Sequence, residues 1–384
     1  MPGLGHVNTY CLVGNGDTTL VDPGLPSASS YRALKSRLKQ AGVRLQDINQ
    51  VVVTHSHPDH YGGVRRLLGD SPAKMVTHSD FGRLVLAPGV HECSSESTVD
   101  QLGNDDSKFT GDQYERSDKP ASMTPSGKDK PLLELDGSNR AHREVRREKA
   151  LAKLESAFYV ENFDRESWKG PVWLLPRPWN SKPLAPPLSR SKALAMRLAG
   201  PVFIKGFLPP QPARRVKNTD QIELGGRVWQ AVHTPGHTLD HLCLFQPDLG
   251  LLISGDHVLP TITPHVPGVG GGPDPLSYFL DSLGRIEELG GVDRVLPAHG
   301  HPFSNLSGRI ETIKQHHDDR LNQIVNALAK SGSMRVEDVS KVLFRPQRLG
   351  PMADSESFAH LEHLRLAKRV SVRREKDELV YELS

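Results

Sequence analysis

Thr54-His55-Ser56-His57-Pro58-Asp59-His60 packs three imidazoles and a carboxylate into six residues, directly after the apolar run Val51-Val52-Val53. A buried strand that delivers such a cluster to a turn is how a chain builds a metal site. Imidazole suits zinc and similar borderline metals, and catalytic sites need several ligands with one position left open. Three further groups lie downstream. They are His237 in Thr234-Pro235-Gly236-His237-Thr238, Asp256 in Ser254-Gly255-Asp256-His257, and His299 in Pro297-Ala298-His299-Gly300. Each follows a strand-like run.

In that order, HxHxDH, PGHT, SGD and PAHG resemble the metallo-β-lactamase-fold hydrolase superfamily, and the combination is far more specific than any one motif. The resemblance spans residues 1–90 and 216–308. It implies an α/β fold, a four-layer αββα sandwich, with a binuclear centre. By the same resemblance His55, His57 and His237 hold one metal, Asp59, His60 and His299 hold the second, and Asp256 bridges both. Asp22, in Leu20-Val21-Asp22-Pro23-Gly24, matches a position that in the family supports a metal-binding His. The residues alone leave a turn-forming role equally open.

The remaining chain reads as two additions. Residues 91–139 are rich in Ser, Asp, Gly and Lys, as in a mobile loop. Trp168, Trp173 and Trp179 follow among prolines. We take 91–215 as an insertion whose tryptophans either wall the metal cleft as a lid or anchor a long loop. Residues 309–384 show three helical apolar spacings, around Ile310–Leu328, Val336–Leu343 and Phe358–Leu364, then alternation at Val370/Val372 and Leu379/Tyr381/Leu383. Three helices and a hairpin make a winged-helix-like C-terminal domain. Its arginines are interleaved with Glu and Asp, so a packing role is favoured over DNA reading. Gly268-Val269-Gly270-Gly271-Gly272 lacks the GK[ST] of a phosphate loop and reads as a flexible connector.

Composition narrows the function. The 384 residues carry a net charge of +3 and are 36% hydrophobic. That charge is too small to argue for a nucleic-acid partner. Cys11, Cys93 and Cys243 form no CxxC, which fits a reducing compartment. No run has the length of a membrane-spanning helix, so a cytoplasmic location is expected. The leading expectation is a metal-dependent hydrolase that uses a metal-bridged hydroxide on a small carbonyl ester, a thioester or lactone, with Asp59 also carrying a proton. The resembling members are those of glyoxalase II and winged-helix thioesterase type. The alternatives are a metal-dependent ribonuclease or other phosphodiesterase, and a non-catalytic binding protein with a vestigial site. The ligand set, mostly imidazole with two carboxylates, points to two divalent ions, zinc first; iron and manganese fit the same donors.

Overall fold

A computed structural model describes residues 6–14, 16–81, 177–180, 209–376 and 378–384, all within one unit of the chain. Its centre is a pair of five-stranded sheets. The first comprises β1 (Tyr10–Gly14), β2 (Asp17–Val21), β3 (Ile48–Val52), β4 (Lys74–His78) and β5 (Arg214–Val216), in that spatial order. β1 is antiparallel to β2, and the others run parallel. The second comprises β6 (Gln221–Leu224), β7 (Arg227–His233), β8 (Leu242–Gln246), β9 (Leu251–Gly255) and β10 (Arg294–Pro297), ordered β10-β9-β8-β7-β6. Only its β9–β10 pair is parallel.

Successive side chains of a strand point to opposite faces, and both faces of the first sheet are apolar. Val21, Val52, Val76 and Val216 meet Ile222, Leu224, Trp229, Ala231, Leu242, Leu244 and Ile253, which joins the two sheets. Their neighbours Leu20, Val51, Val53 and Met75 pack instead on Tyr31, Leu34 and Leu38 of α1 (Ala28–Gln40) and on Val64 and Leu67 of α3 (Val64–Asp70). The short α2 (Pro58–Tyr61) lies between them in the chain. On the far side, α4 (Pro275–Glu288) seats Ser282 against the Pro235 carbonyl and Arg285 against the His233 carbonyl. This is the αββα sandwich the motifs imply. β5, a three-residue strand across the boundary between the span read as insertion and the resumed core, has no counterpart in the sequence reading.

The chain continues through α5 (Leu306–Ser331), β11 (Ser333–Arg335), α6 (Val336–Leu343), α7 (Pro351–Leu366), β12 (Val370–Glu375) and β13 (Glu378–Leu383). The last three-stranded sheet is ordered β11-β13-β12 and is antiparallel. Of the insertion's tryptophans, only Trp179 is among the described residues. It is buried, lies 5.1 Å from the Phe358 ring of α7, and its carbonyl accepts from the Leu379 amide at 2.9 Å. Trp179 thus packs against the C-terminal segment. Trp168 and Trp173, and the segment 91–139, lie outside the described residues.

A buried imidazole pair crosses this region. His360 donates from Nδ1 to the Glu356 carbonyl at 2.7 Å, which leaves its Nε2 to accept from His317 Nδ1 at 3.1 Å. Burial, reinforced by the neighbouring His360, pushes His317 down to about 2, and burial pushes His360 to about 4 against the opposing pull of Glu356. Both folded values lie below the ordinary value of about 6.5 that the unfolded chain keeps. The unfolded state thus binds more protons, and this stability is full above that pH and is lost as pH falls toward 4. Each such ring steepens the loss by about 1.4 kcal/mol per pH unit. His317→Leu should flatten the pH dependence by about that amount in urea unfolding at pH 7, 6 and 5; an unchanged slope would show that the pair is not held neutral.

Candidate metal centre

The strand ends explain the cluster. His55 and His57 follow β3 at a bend, and their rings meet edge to face with centroids 4.6 Å apart. Pro58 then occupies the first position of α2, where its fixed φ and missing N–H cost nothing. The chain turns at once, and Asp59 and His60 come round on a helical turn. His237 follows β7, Asp256 opens the turn after β9, and His299 follows β10. Gly236 makes the first of these possible. It has φ +134°, and a Cβ there would stand 2.4 Å from Phe279 Cβ of α4, so only glycine lets the His237 loop lie against that helix.

All seven sequence-predicted residues converge as two adjoining groups of donor atoms, His55/His57/His237/Asp256 and Asp59/His60/His299, each of which could hold a metal ion. In the first group, His55 Nε2 and His237 Nε2 lie 3.0 and 3.1 Å from His57 Nδ1. Asp256 Oδ2 is 3.6 Å from His237 Nε2 and 4.0 Å from His55 Nε2. The same carboxylate reaches the second group, with Oδ2 3.5 Å from His60 Nε2 and Oδ1 3.4 Å from His299 Nε2. Asp59 Oδ2 stands 3.9 Å from His60 Nε2 and 3.7 Å from His299 Nε2. A tetrahedral ion with bonds of about 2.0–2.1 Å separates its donors by about 3.3 Å, which falls within this spread.

Partners on the far ring nitrogens set the tautomers. His237 Nδ1 donates to the His265 carbonyl at 2.7 Å and His299 Nδ1 to the His6 carbonyl at 2.9 Å. His60 Nδ1 donates to Asp22 Oδ2 at 2.9 Å. Thr54 Oγ1 donates to Asp22 Oδ2 at 2.7 Å and so accepts from His55 Nδ1 at 3.0 Å. Four Nε2 atoms are thereby left as bare lone pairs aimed inward. Those of His55 and His237 both face His57 Nδ1, which can satisfy one of them at most. His60 Nε2, His299 Nε2 and Asp256 Oδ1 are buried without a hydrogen-bond partner. Buried lone pairs that face one another are costly unless a cation sits among them. The donor set therefore fits a pair of divalent metals.

The electrostatics agree. Burial, then the neighbouring imidazoles, hold His55 and His57 well below the ordinary histidine range, so both are neutral donors at neutral pH. For Asp256, burial alone would raise the pKa, but His60 and His299 outweigh it and keep the carboxyl well below its usual range. His60 differs: burial opposes charge there, but the Asp256 and Asp22 carboxylates outweigh it and hold that ring well above the ordinary histidine range, so a proton competes with a cation for its Nε2.

Several contributors escaped the sequence reading. Asp22 was open between two roles, and the structure gives it both. Its φ of 53° is the left-handed turn geometry, while its carboxylate, 2% exposed, accepts from the Thr54 amide as well as from Thr54 Oγ1 and His60. Asp22→Ala should keep the fold but weaken metal binding by about 10–100-fold, the usual effect of removing such a support, read by titration against a chelator; unaltered affinity would reduce Asp22 to a turn former. His241 accepts from the Asp256 amide at Nε2, at 3.0 Å, and Asp240 accepts from Ser56 Oγ at 3.1 Å. No motif flags either. A third group, His78/Asp80/His233, has donors close together. Its imidazoles are stacked 3.8 Å apart with planes at 12°, so their in-plane lone pairs run side by side and do not converge.

Comparison with known proteins bears on the same residues. The sequence model of the Metallo-beta-lactamase superfamily matches residues 2–125 and 169–301, more than half of the chain. A solved metallo-beta-lactamase family protein from Thermus thermophilus superposes with a TM-score of 0.63 at 22% identity, covering 100% of this chain and 96% of its own. A beta-lactamase domain protein from Burkholderia ambifaria gives the same TM-score and identity, covering 100% and 89%. Among curated sequences, a Beta-lactamase-like protein 2 homolog of Drosophila melanogaster is 30% identical over 156 residues, 40% of this chain and 50% of that protein. The Lactamase-like protein vrtG of Penicillium aethiopicum is 28% identical over 143 residues, 35% and 44%. The chain spans about half the length of the curated relatives it matches.

Proposed function

Since this chain belongs to the metallo-beta-lactamase superfamily, we propose that it is a binuclear metallohydrolase of a small carbonyl ester, a thioester or a lactone. The observation that carries the reading is the complete set of seven donors with their lone pairs turned inward. His55, His57 and His237 would hold one ion, Asp59, His60 and His299 the other, and Asp256 both. Zinc suits a set of five imidazoles and two carboxylates. When bound, two such ions lower the pKa of water toward neutrality and polarise the acyl oxygen.

The chain's own groups supply the rest. The far-nitrogen partners keep the rings oriented, so that little reorganisation accompanies reaction. Asp59 is the most exposed of the second group, its side chain 23% accessible against 4% or less for His60 and His299. It is placed to take a proton from the attacking water and hand it to the leaving group.

The C-terminal segment 309–384 we take as a winged-helix-like domain that serves packing. Its cations support this. Arg365 pairs with Glu362, Arg335 with Glu378, and Arg373 with both Glu375 and Glu382, which leaves no continuous basic stripe through them for a phosphate backbone. Residues 91–215 remain our insertion, and a cytoplasmic location our expectation; no described helix is long and apolar enough to cross a membrane. Elemental analysis should find about two transition-metal ions per chain, and kinetics on a panel of thioesters, lactones and short RNAs should show acyl hydrolysis. Folded protein that stays metal-free sinks the reading. Cleavage of RNA alone replaces it with a phosphodiesterase, and intact metals with no turnover on any substrate point to a binding protein.

A further inference from the structure

The segment between Asp256 and α4 carries the carbonyl that orients His237, and the C-terminal helices hold it at several points. Arg309 of α5 donates to the Leu259 and Ile262 carbonyls at 2.6 and 2.7 Å. His363 of α7 bonds Asp274, at 3.0 Å. Between these ends, Gly268 gives its amide to the Ser355 carbonyl at 3.0 Å and to Ser355 Oγ at 3.1 Å. A Cβ on Gly268 would meet the Ser355 carbonyl oxygen at 2.5 Å, so glycine is what lets α7 seat there. The glycine run read as a flexible connector is, at Gly268, a buried clamp point.

The link nearest the metals is His265. Its carbonyl receives His237 Nδ1, and its own Nδ1 donates to Glu356 Oε2 at 2.8 Å. Glu356 is buried on α7, and its other oxygen accepts from Arg320 Nη1 of α5 at 2.5 Å. A buried carboxylate is tolerated only when both its oxygens are satisfied, and here one partner is the structural cation and the other the loop. We propose that Glu356, fixed by Arg320, is a positioning residue for the first metal. Acting through His265, it sets the carbonyl that turns His237 Nε2 toward His55, His57 and Asp256, so the C-terminal helices are part of the metal site's support.

The inference rests on the metal-binding reading above, and the test separates the two. Full-length protein is loaded with zinc and titrated against a chromophoric chelator, and the two equivalents are followed separately. Glu356→Ala should release one equivalent at about tenfold lower chelator while the other is retained, a loss at the mild end of what outer supports give. Glu356→Gln, which keeps an oxygen for His265, should recover most of that loss. His265→Ala leaves the Arg320–Glu356 pair and the carbonyl in place. It should loosen the same equivalent, and it serves where the Glu356 variants fail to fold. Variants that hold both ions as tightly as the parent overturn the proposal and leave the hydrolase reading standing. A parent chain that binds no zinc overturns both.

Discussion

Asp256→Ala is expected to abolish binding at both metal positions and to lower turnover by about 10⁴-fold or more. Asp256 alone touches both donor groups, its two oxygens standing 3.4–3.6 Å from His237, His60 and His299. Removing it leaves buried imidazoles facing one another with nothing between them. Metal-assisted hydrolysis draws several kcal/mol of barrier lowering from the ions, and each 1.4 kcal/mol is a factor of ten in rate. Asp256→Asn, which keeps one acceptor oxygen, should retain part of the metal. Elemental analysis beside steady-state kinetics checks both, with circular dichroism to confirm the fold. A folded alanine variant with two ions per chain and full turnover would falsify the bridging role.

Asp59→Asn should behave differently. The first group, His55, His57, His237 and Asp256, does not include it, so one ion should remain while the second is weakened. Turnover should fall by about 10²–10⁴-fold, the range for losing a positioned proton carrier. The loss should lie mainly in kcat, since substrate still meets the same surface. A drop confined to KM, or full activity with one ion missing, would assign the proton to another group.

The seven donors were readable because each sits just past a strand, where a short motif and the local geometry say the same thing. The bend after β3 brings His55 beside His57, and Pro58 starts the turn that brings Asp59 and His60 round. The supports of those donors were not readable in that way. Asp22 and His60 are far apart in sequence, and His265 and Glu356 farther still. Such pairings leave no periodic trace. α7 shows the same limit from another side. The apolar spacing at Phe358, Leu361 and Leu364 marks its second half, but Asp354, Ser355 and Glu356 are buried too. Buried polar residues look like surface until their partners are known. β5 was invisible because Arg-Arg-Val is too short to show alternation.

The donors come from opposite ends of the chain, and this has a consequence for how the protein is made. Asn8 bonds the carbonyls of Pro297 and Gly300, and His299 bonds that of His6. During synthesis the amino-terminal histidines leave the ribosome long before their counterparts exist, at roughly 5–20 residues per second. For many seconds His55, His57 and His60 are a half-built chelate with no Asp256 to bridge them. Contacts this distant in sequence also form late in folding. On the proposed binuclear reading, a tightly held pair of ions would certify that translation has passed residue 299 and that the two sheets have closed on each other.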